Sequence, residues 1–523
     1  MSIRQAARRP LLLVEGLFSR VFGAEANPFH YLGALTIFFF WIVLVTGIYL
    51  FVFFKTSVYG AYESVEYLTH TQWYLGGVMR SLHRYASDAA VVTMMLHLVR
   101  EFLGDRYRGF RWYSWFTGMP LIWFVFLLGI TGYWLVWDEL AQYVAIASSE
   151  LLDALPIFTD PMARNFLSEA NVSDRFFTLM GFLHLLGLPV IIVFAIWFHV
   201  LRISRPKVNP PRELAIGTFA ALLALSFAKP AVSHAPANLA TVPNPVQLDW
   251  FYLNVYPLLD VWPPMAVWGL LWGLSLLLAI APWLPPLRKK PVAVVDPANC
   301  NGCGRCFADC PYSAITLTAH PTRAGMQLAV VDADLCASCG ICAGACPSST
   351  PFRSTVELVS GIDMPQLTVQ AVRARTKEML AGLTGEGRVM VFGCDHAADV
   401  RNLRGEGVAA VSLECIGQLP PSFIDYVLRD GRCDGVLVTG CHPQSCHYRF
   451  GSVWTEQRLR HQREPHLRTR AAKERLHVVW AGPGEEARLA KVLARYRAAL
   501  RMIPSPGTRP APVENQDRKA RHG

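Results

Sequence analysis

The stretch Gly76–Arg111 constrains the chain more than any other. It is mostly apolar, closes on a basic cluster, and carries His83 and His97 fourteen residues apart. Fourteen residues is close to four turns of α-helix, so both rings leave one face, roughly 21 Å apart along the axis. That is most of the thickness of a bilayer core. The stretch Arg175–Ile203 repeats the pattern with His184 and His199, fifteen residues apart and again about four turns.

The surrounding sequence is that of a membrane protein. Of the 523 residues, 52% are hydrophobic and 17% charged, and the mean hydropathy is +0.28. The apolar residues concentrate before about residue 285. Six stretches there are near the ~20 residues that cross a bilayer: Tyr31–Phe54, Tyr74–Phe102, Trp112–Trp137, Arg175–Ile203, Leu214–Ala231 and Leu258–Leu284. The fifth is interrupted by SFAKP, and a half-inserted surface helix is the alternative there. The N-terminal segment is basic and has no small-residue cleavage site, so it reads as an amphipathic helix on the membrane surface.

Basic residues set the orientation. Arg4, Arg8, Arg9 and Arg20 precede the first stretch, and Arg100, Arg106, Arg108 and Arg111 join the second to the third. Arg202, Arg205, Lys207 and Arg212 join the fourth to the fifth, and Arg288, Lys289 and Lys290 follow the sixth. The alternate loops hold Glu63, Glu66, Asp138, Glu139, Asp153 and Asp160. Both ends are therefore expected on the cytoplasmic side of a multi-pass protein of the bacterial inner membrane. The net charge of +10 is accounted for by these flanks, and no nucleic-acid-binding motif accompanies it.

This topology puts His83 and His184 at an outer level and His97 and His199 at an inner one. Two opposed histidines at each of two levels is the arrangement of bis-histidine haem ligation. A lone histidine in a span more often satisfies a local hydrogen bond; four paired by level do not fit that description. Gly33 and Gly47, and Gly118 and Gly132, are also fourteen apart, as expected where a haem edge lies close to a helix backbone. Packing through small residues is the bland alternative.

On these residues, with Arg80, Arg175–Phe176 and Pro189, residues 1–287 resemble the cytochrome b and b6 family of quinol-oxidising complexes. The resemblance implies a transmembrane all-α di-haem four-helix bundle plus two further spans. It also implies one haem b between His83 and His184 and a second between His97 and His199, with Arg80 and Arg100 beside the propionates. The family's outer quinol loop carries Pro-Glu-Trp-Tyr, where this chain has Leu248-Asp249-Trp250-Phe251. Asp249 is thereby a candidate acceptor of a quinol proton, or else a residue that orients the loop. The third stretch also departs, with Val136 where the family has proline.

All thirteen cysteines lie after residue 299. Residues 292–352 hold Cys300, Cys303, Cys306, Cys310 and Cys336, Cys339, Cys342, Cys346, two runs of C-x2-C-x2-C-x3-C-P. Zinc rarely takes this doubled spacing, which resembles α+β two-cluster bacterial ferredoxins. In such ferredoxins the fourth cysteine crosses over. The resemblance therefore assigns one [4Fe-4S] to Cys300, Cys303, Cys306 and Cys346, and the other to Cys336, Cys339, Cys342 and Cys310.

Residues 353–386 read as a linker with a helix near Met364–Leu383. Residues 387–500 alternate strand-like runs (RVMVFGC, GVAAVSLEC, GVLVTGC, LHVVWAG) with helical segments, which predicts a small α/β domain with a parallel sheet. Cys394, Cys415 and Cys441 end three of these strands and Cys446 follows. With GCHPQSCHY and DGVLVTG, the segment resembles the small iron–sulfur (delta) subunit of methyl-viologen-reducing hydrogenase, which implies a [2Fe-2S] on these four cysteines. Buried structural thiols are the alternative. Cys433 reads as spare, and His442 and His447 as supporting donors or alternative ligands. Residues 501–523 read as a disordered tail.

The expectation is a membrane electron-transfer subunit of a quinone-dependent oxidoreductase. Its implied partners are the quinone pool and a cytoplasmic flavoprotein or heterodisulfide-reductase-like subunit, with a homodimer as a further option. The alternatives are a haem and iron–sulfur wire with no quinone site of its own, and a ferredoxin-type reductase with a merely structural anchor.

Overall fold

The computed structural model describes residues 3–157, 161, 167, 172–242, 246–285, 291–353, 356–468 and 473–503. Asp160, Arg288, Lys289, Lys290 and the tail from residue 504 lie outside the described residues. The chain divides into two compact units, Met1–Arg288 and Lys289–Gly523.

The first unit is helical. Helix α1 spans Ile3–Phe22, α2 Leu32–Phe53, α3 Val78–Leu103, α4 Trp112–Val136 and α5 Glu139–Asp153. Helix α6 (Asp174–Phe182) runs through the π turn Leu183–Gly187 into α7 (Leu188–Val200), and α8 (Arg212–Ala228) and α9 (Pro264–Ile280) follow. Among the described residues, four helical stretches are long and apolar enough to cross a membrane: Pro28–Phe53, Gly109–Val136, Asp174–Val200 and Pro264–Trp283. Helix α3 is not one of them because it carries Arg80, Arg84 and Asp88. These charges are paired inside the protein: Arg84 with Asp88 at 3.2 Å, and Arg80 with Glu66 at 3.4 Å. Helix α8 has 17 residues and is also outside the four.

Helix α4 stops at Trp137, which adopts a left-handed conformation with φ 55°. The next residue, Asp138, caps α5: one carboxylate oxygen accepts from the Ala141 N–H and the other from the His234 N–H, both at 2.9 Å. That cap pins the loop after α8 onto the end of α4.

The second unit mixes strands and helices. Strands β1 (Ile315–Ala319) and β2 (Gln327–Val331) form an antiparallel hairpin, and Val294–Val295 pairs with Ile362–Asp363. Gly304 and Gly340 have φ of +74° and +73°, which only glycine adopts without strain. Each turns its cysteine-bearing loop into a short helix, Arg305–Ala308 in the first and α10 (Ile341–Ala345) in the second. The two cysteine runs thus take the same backbone path.

Helix α11 (Val369–Ala381) begins at Thr368, whose hydroxyl accepts from the Ala371 N–H. It starts later than Met364, because residues 364–368 loop around Asp363, whose carboxylate accepts from the N–H groups of Met364 and Val369. Strands β3 (Val389–Cys394), β4 (Val408–Leu413), β5 (Gly435–Gly440) and β6 (Leu476–Trp480) form a parallel sheet in the order β4-β3-β5-β6. Met390, Phe392, Val436 and Val438 pack on one face, and Val389, Val391, Leu437 and Leu489 on the other. Burial on both faces is why these strands read as unbroken apolar runs. Helices α12 (Ser422–Asp430), α13 (Gly451–Leu459) and α14 (Glu486–Arg501) complete the unit.

Candidate functional site

In the helical unit the four histidines meet in two pairs. The His83 and His184 ring centroids lie 6.3 Å apart and those of His97 and His199 6.5 Å apart. The fifteen-residue interval is explained by the π turn that holds His184, since such a turn takes in one extra residue without shifting the helix face.

Each ring stands over a glycine of a neighbouring helix. A Cβ on Gly132 would come 2.8 Å from His184 Cε1, one on Gly47 3.0 Å from His83 Cε1, one on Gly118 3.2 Å from His199 Cε1, and one on Gly33 3.5 Å from His97 Cε1. The room the glycines leave is filled by imidazole. His83 Nδ1 lies 3.0 Å from the Val43 carbonyl and 3.1 Å from Thr46 Oγ1. His184 Nδ1 lies 3.0 Å from the Leu128 carbonyl and 3.2 Å from Thr131 Oγ1. Both hydroxyls already donate to carbonyls of their own helices, Ile42 and Leu127. They therefore accept from the imidazole, which puts the proton on Nδ1 and leaves the Nε2 lone pair free to bind a metal. Thr117 stands in the same relation to His199, at 3.5 Å.

These threonines were not singled out from sequence. The signal was present: a threonine immediately precedes Gly47, Gly118 and Gly132.

The spacing of the rings tests whether an iron fits. A metal–imidazole bond of about 2.0–2.1 Å on each side, with the ring centre about 1.1 Å beyond the nitrogen, puts two axial rings roughly 6.3 Å apart. Both pairs match this. A cavity of about 240 Å³ adjoins the first pair, with Arg80, Arg84, Tyr133 and Tyr252 in its wall. Arg80 is held by Glu66, Thr69 and Ser233. Arg100 donates to Glu15 of α1 at 2.7 Å and lies 3.9 Å from Glu101. Both arginines are thus ion-paired within the protein.

Asp249 is buried. Its carboxylate accepts from Arg84 Nη2 at 3.1 Å, from the Tyr133 hydroxyl and from the Phe251 N–H at 2.7 Å. The Arg84 guanidinium also stacks over the Tyr133 ring at 4.9 Å. Neither partner of Asp249 was found from sequence; Arg84 follows directly on a histidine of interest.

In the second unit, a pocket is lined by Cys300, Cys303, Cys306 and Cys346. Burial pushes the Cys306 thiol up to about 12, with Cys346, Cys303 and Cys300 adding to the rise. Burial likewise raises Cys339 and Cys342; the thiols acting on Cys339 are those of Cys310 and Cys336, and those acting on Cys342 are Cys339, Cys336 and Cys310, with Cys306 after them. The fourth cysteine of each run therefore sits with the first three of the other. Buried thiols such as Cys306, Cys339 and Cys342, which resist ionisation unaided, suit a cationic iron cluster, which ligates the thiolate form.

Cys394, Cys415, Cys441 and Cys446 converge at one edge of the parallel sheet. Cys394 adjoins Cys415 and Cys441, and Cys446 adjoins the same two, so the four thiols form one group. Cys433 lies beyond the opposite end of β5, bonded to the Gly435 carbonyl at 2.7 Å. Beside the group, His396 stacks on His447 with centroids 3.7 Å apart and lies 3.2 Å from Glu414, which also accepts from Tyr448. His442 pairs instead with Glu485. His396, two residues after Cys394, gave no periodic signal in the sequence.

A family model for cytochrome b/b6/petB matches residues 18–206. The helical region is cytochrome b-like. The family implies haem b, and the match takes in all four paired histidines and all four glycines. Helices α8 and α9 lie beyond it. A 4Fe-4S dicluster domain model matches residues 299–350, which implies [4Fe-4S] clusters, and a model for the delta subunit of methyl-viologen-reducing hydrogenase matches residues 387–503. The chain is thus a fusion of a cytochrome b-like region, a 4Fe-4S dicluster domain and a segment like the delta subunit of methyl-viologen-reducing hydrogenase. Among solved structures, a chain titled "Hyperthermophilic respiratory Complex III" is similar at 18% identity. The similarity covers 49% of this chain and 74% of that one, with a TM-score of 0.40.

Proposed function

We propose that this chain is a membrane electron-transfer subunit that couples the quinone pool, through two b haems, to iron–sulfur clusters and a soluble flavoprotein or heterodisulfide-reductase-like partner. The observation that carries the reading is the pair of facing imidazole sets, 6.3 and 6.5 Å apart, in one helical unit. His83 and His184 hold one haem and His97 and His199 the other, within a four-helix core of α2, α3, α4 and α6–α7, to which α8 and α9 add further spans. Bound haem supplies one-electron carriage. The protein would supply the imidazole nitrogens that hold it, with the tautomers of His83 and His184 fixed by their backing threonines and carbonyls, an apolar surround and two levels of depth.

The same reading gives one [4Fe-4S] to Cys300, Cys303, Cys306 and Cys346, and a second to Cys336, Cys339, Cys342 and Cys310. It gives a [2Fe-2S] to Cys394, Cys415, Cys441 and Cys446. The domains fall at 1–287, 292–352 and 387–500, the last two on the cytoplasmic side of a bacterial inner membrane. Arg80 and Arg100, each paired with a glutamate, would stand beside the haem propionates. Asp249 takes a quinol proton through the Tyr133 hydroxyl, which reaches the cavity wall.

One observation favours the wire without a quinone site: Asp249 is saturated by Arg84, Tyr133 and the Phe251 N–H, so no open carboxylate faces a substrate. Quinol added to the purified chain decides between them. Reduction of the haems that is lost in Asp249→Asn supports the coupled reading. Haems indifferent to quinol support the wire, and fewer than two haems b per chain by pyridine haemochrome defeats both.

A further inference from the structure

In the second unit, the segment bearing Cys342 and the segment bearing Cys415 touch backbone to backbone. Helix α10 lies on the turn Ile416–Gln418 that follows Cys415. A Cβ on Gly344 would overlap the Gly417 carbonyl oxygen, and one on Gly417 would come 2.9 Å from Ile341 Cγ1. A Cβ on Gly340 would come 2.7 Å from Gln418 Cδ. Three glycines thus permit an approach that any side chain would forbid.

A second bridge joins the same two places. Arg458, on α13, is fully buried at 0% exposure. It donates from Nη1 to the Gly417 carbonyl at 3.0 Å and from Nη2 to Asp309, the residue before Cys310. Arg463 holds the other Asp309 oxygen at 2.7 Å. Gly451, which opens α13, lies directly under Cys415 Sγ. Both bridges end on one cysteine set. Cys310 adjoins Asp309, and Cys339 and Cys342 flank Gly340 and Ile341. Of the other set, Cys346 follows two residues after Gly344 and Cys306 precedes Asp309 by three, while Cys303 is exposed.

We infer that Arg458 is the positioning residue of an electron junction, through which the Cys394–Cys415–Cys441–Cys446 centre exchanges electrons with the Cys310–Cys336–Cys339–Cys342 centre and not directly with the other cubane. This rests on the cluster assignments proposed above. The step moves one electron: one centre is oxidised and the other reduced, no bond forms or breaks, and no proton is transferred. The soluble partner of the proposed function gives or takes that electron, and dithionite supplies it in the test. A buried guanidinium between two centres also lowers the electrostatic cost of an added electron on either.

The test is electron paramagnetic resonance on the full-length, dithionite-reduced protein. The signal of the C-terminal centre is expected to be broadened by its neighbour in the wild type and in Cys303→Ser, which alters the other cubane. In Arg458→Met the broadening should fall, and freeze-quench equilibration between the two centres should slow by about tenfold or more, a cost in the range of small misplacements. Arg458→Lys should restore both. Broadening lost in Cys303→Ser, or unchanged spectra and rates in Arg458→Met, overturns the junction. The Cys303→Ser arm stands even where Arg458→Met fails to fold. Wild-type protein lacking iron at the C-terminal centre would instead defeat the cluster assignment beneath it.

Discussion

The four glycines under the imidazole rings allow a graded perturbation. Substitution by alanine adds one Cβ at each, at 2.8 Å from the ring for Gly132, 3.0 Å for Gly47, 3.2 Å for Gly118 and 3.5 Å for Gly33. Ordinary contact begins near 3.4 Å. In Gly132→Ala the His184 ring must retreat by about 0.6 Å, whereas a metal–ligand bond tolerates about 0.2 Å. The backing Leu128 carbonyl and Thr131 hydroxyl oppose that retreat. Overpacking of this kind costs about 1–3 kcal/mol, which weakens haem binding roughly 5- to 150-fold. Gly33→Ala meets only normal contact and should be silent. The assay is pyridine haemochrome on purified variants, with redox titration to tell the two haems apart. The expected result is one haem lost in Gly132→Ala, partial loss in Gly47→Ala, less in Gly118→Ala, and none in Gly33→Ala. Equal losses at all four positions, or loss at Gly33 alone, would show that the glycines clear the macrocycle and not the ligand ring.

Asp309→Ala should destabilise the second unit by about 3–5 kcal/mol, because it strands the fully buried Arg458; Arg458→Met should cost less, since Arg463 still holds Asp309. Thermal unfolding of the full chain compares the two. Iron removal with a chelator should open the segment whose core includes Cys300, Cys306 and Cys342 with Ala293, Ile315 and Ile362, leaving the parallel sheet folded; limited proteolysis reads this. At Asp434 burial favours the neutral acid, but the two-pronged Arg388 guanidinium and the Arg388 N–H outweigh it and hold the carboxyl below its usual range. A depressed value means stabilisation that is present above the unfolded carboxylate's pKa of about 3.9 and lost as pH falls through the folded value. Asp434→Asn should thus cost about 1 kcal/mol at neutral pH and nothing in strong acid, as read by amide exchange across β3 and β5.

The histidine pairs were legible because helix periodicity converts a sequence interval into a shared face. The cysteine runs were legible because a cubane dictates its own spacing. The parallel sheet was legible because burial on both faces leaves unbroken apolar strands. What escaped were contacts between residues far apart in the chain. Arg84 and Asp249 are 165 residues apart, and Asp309 and Arg458 are 149 apart. No local pattern links them: Asp249 stood out alone, while Arg84, Asp309 and Arg458 each read as an ordinary surface charge. The threonines behind the rings were hidden differently: a hydroxyl in an apolar helix usually satisfies itself on the preceding turn, and these do that as well. The start of α11 was misplaced because the Asp363 carboxylate draws the backbone into a loop before the helix can begin.

The wide turn at Leu183–Gly187 changes how length variation in this helix should be read. A helix that contains such a turn stores one spare residue. Removing Leu185 or Leu186 would let the segment relax to ordinary winding and bring His184 and His199 to the fourteen-residue interval of His83 and His97, with both rings still on their original face. Chains of either length can therefore present the same pair of nitrogens, so an alignment that scores the one-residue difference as damage would discard an equivalent geometry. The ligand spacing here is an adjustable measure, set by how the helix is wound as much as by how many residues it holds.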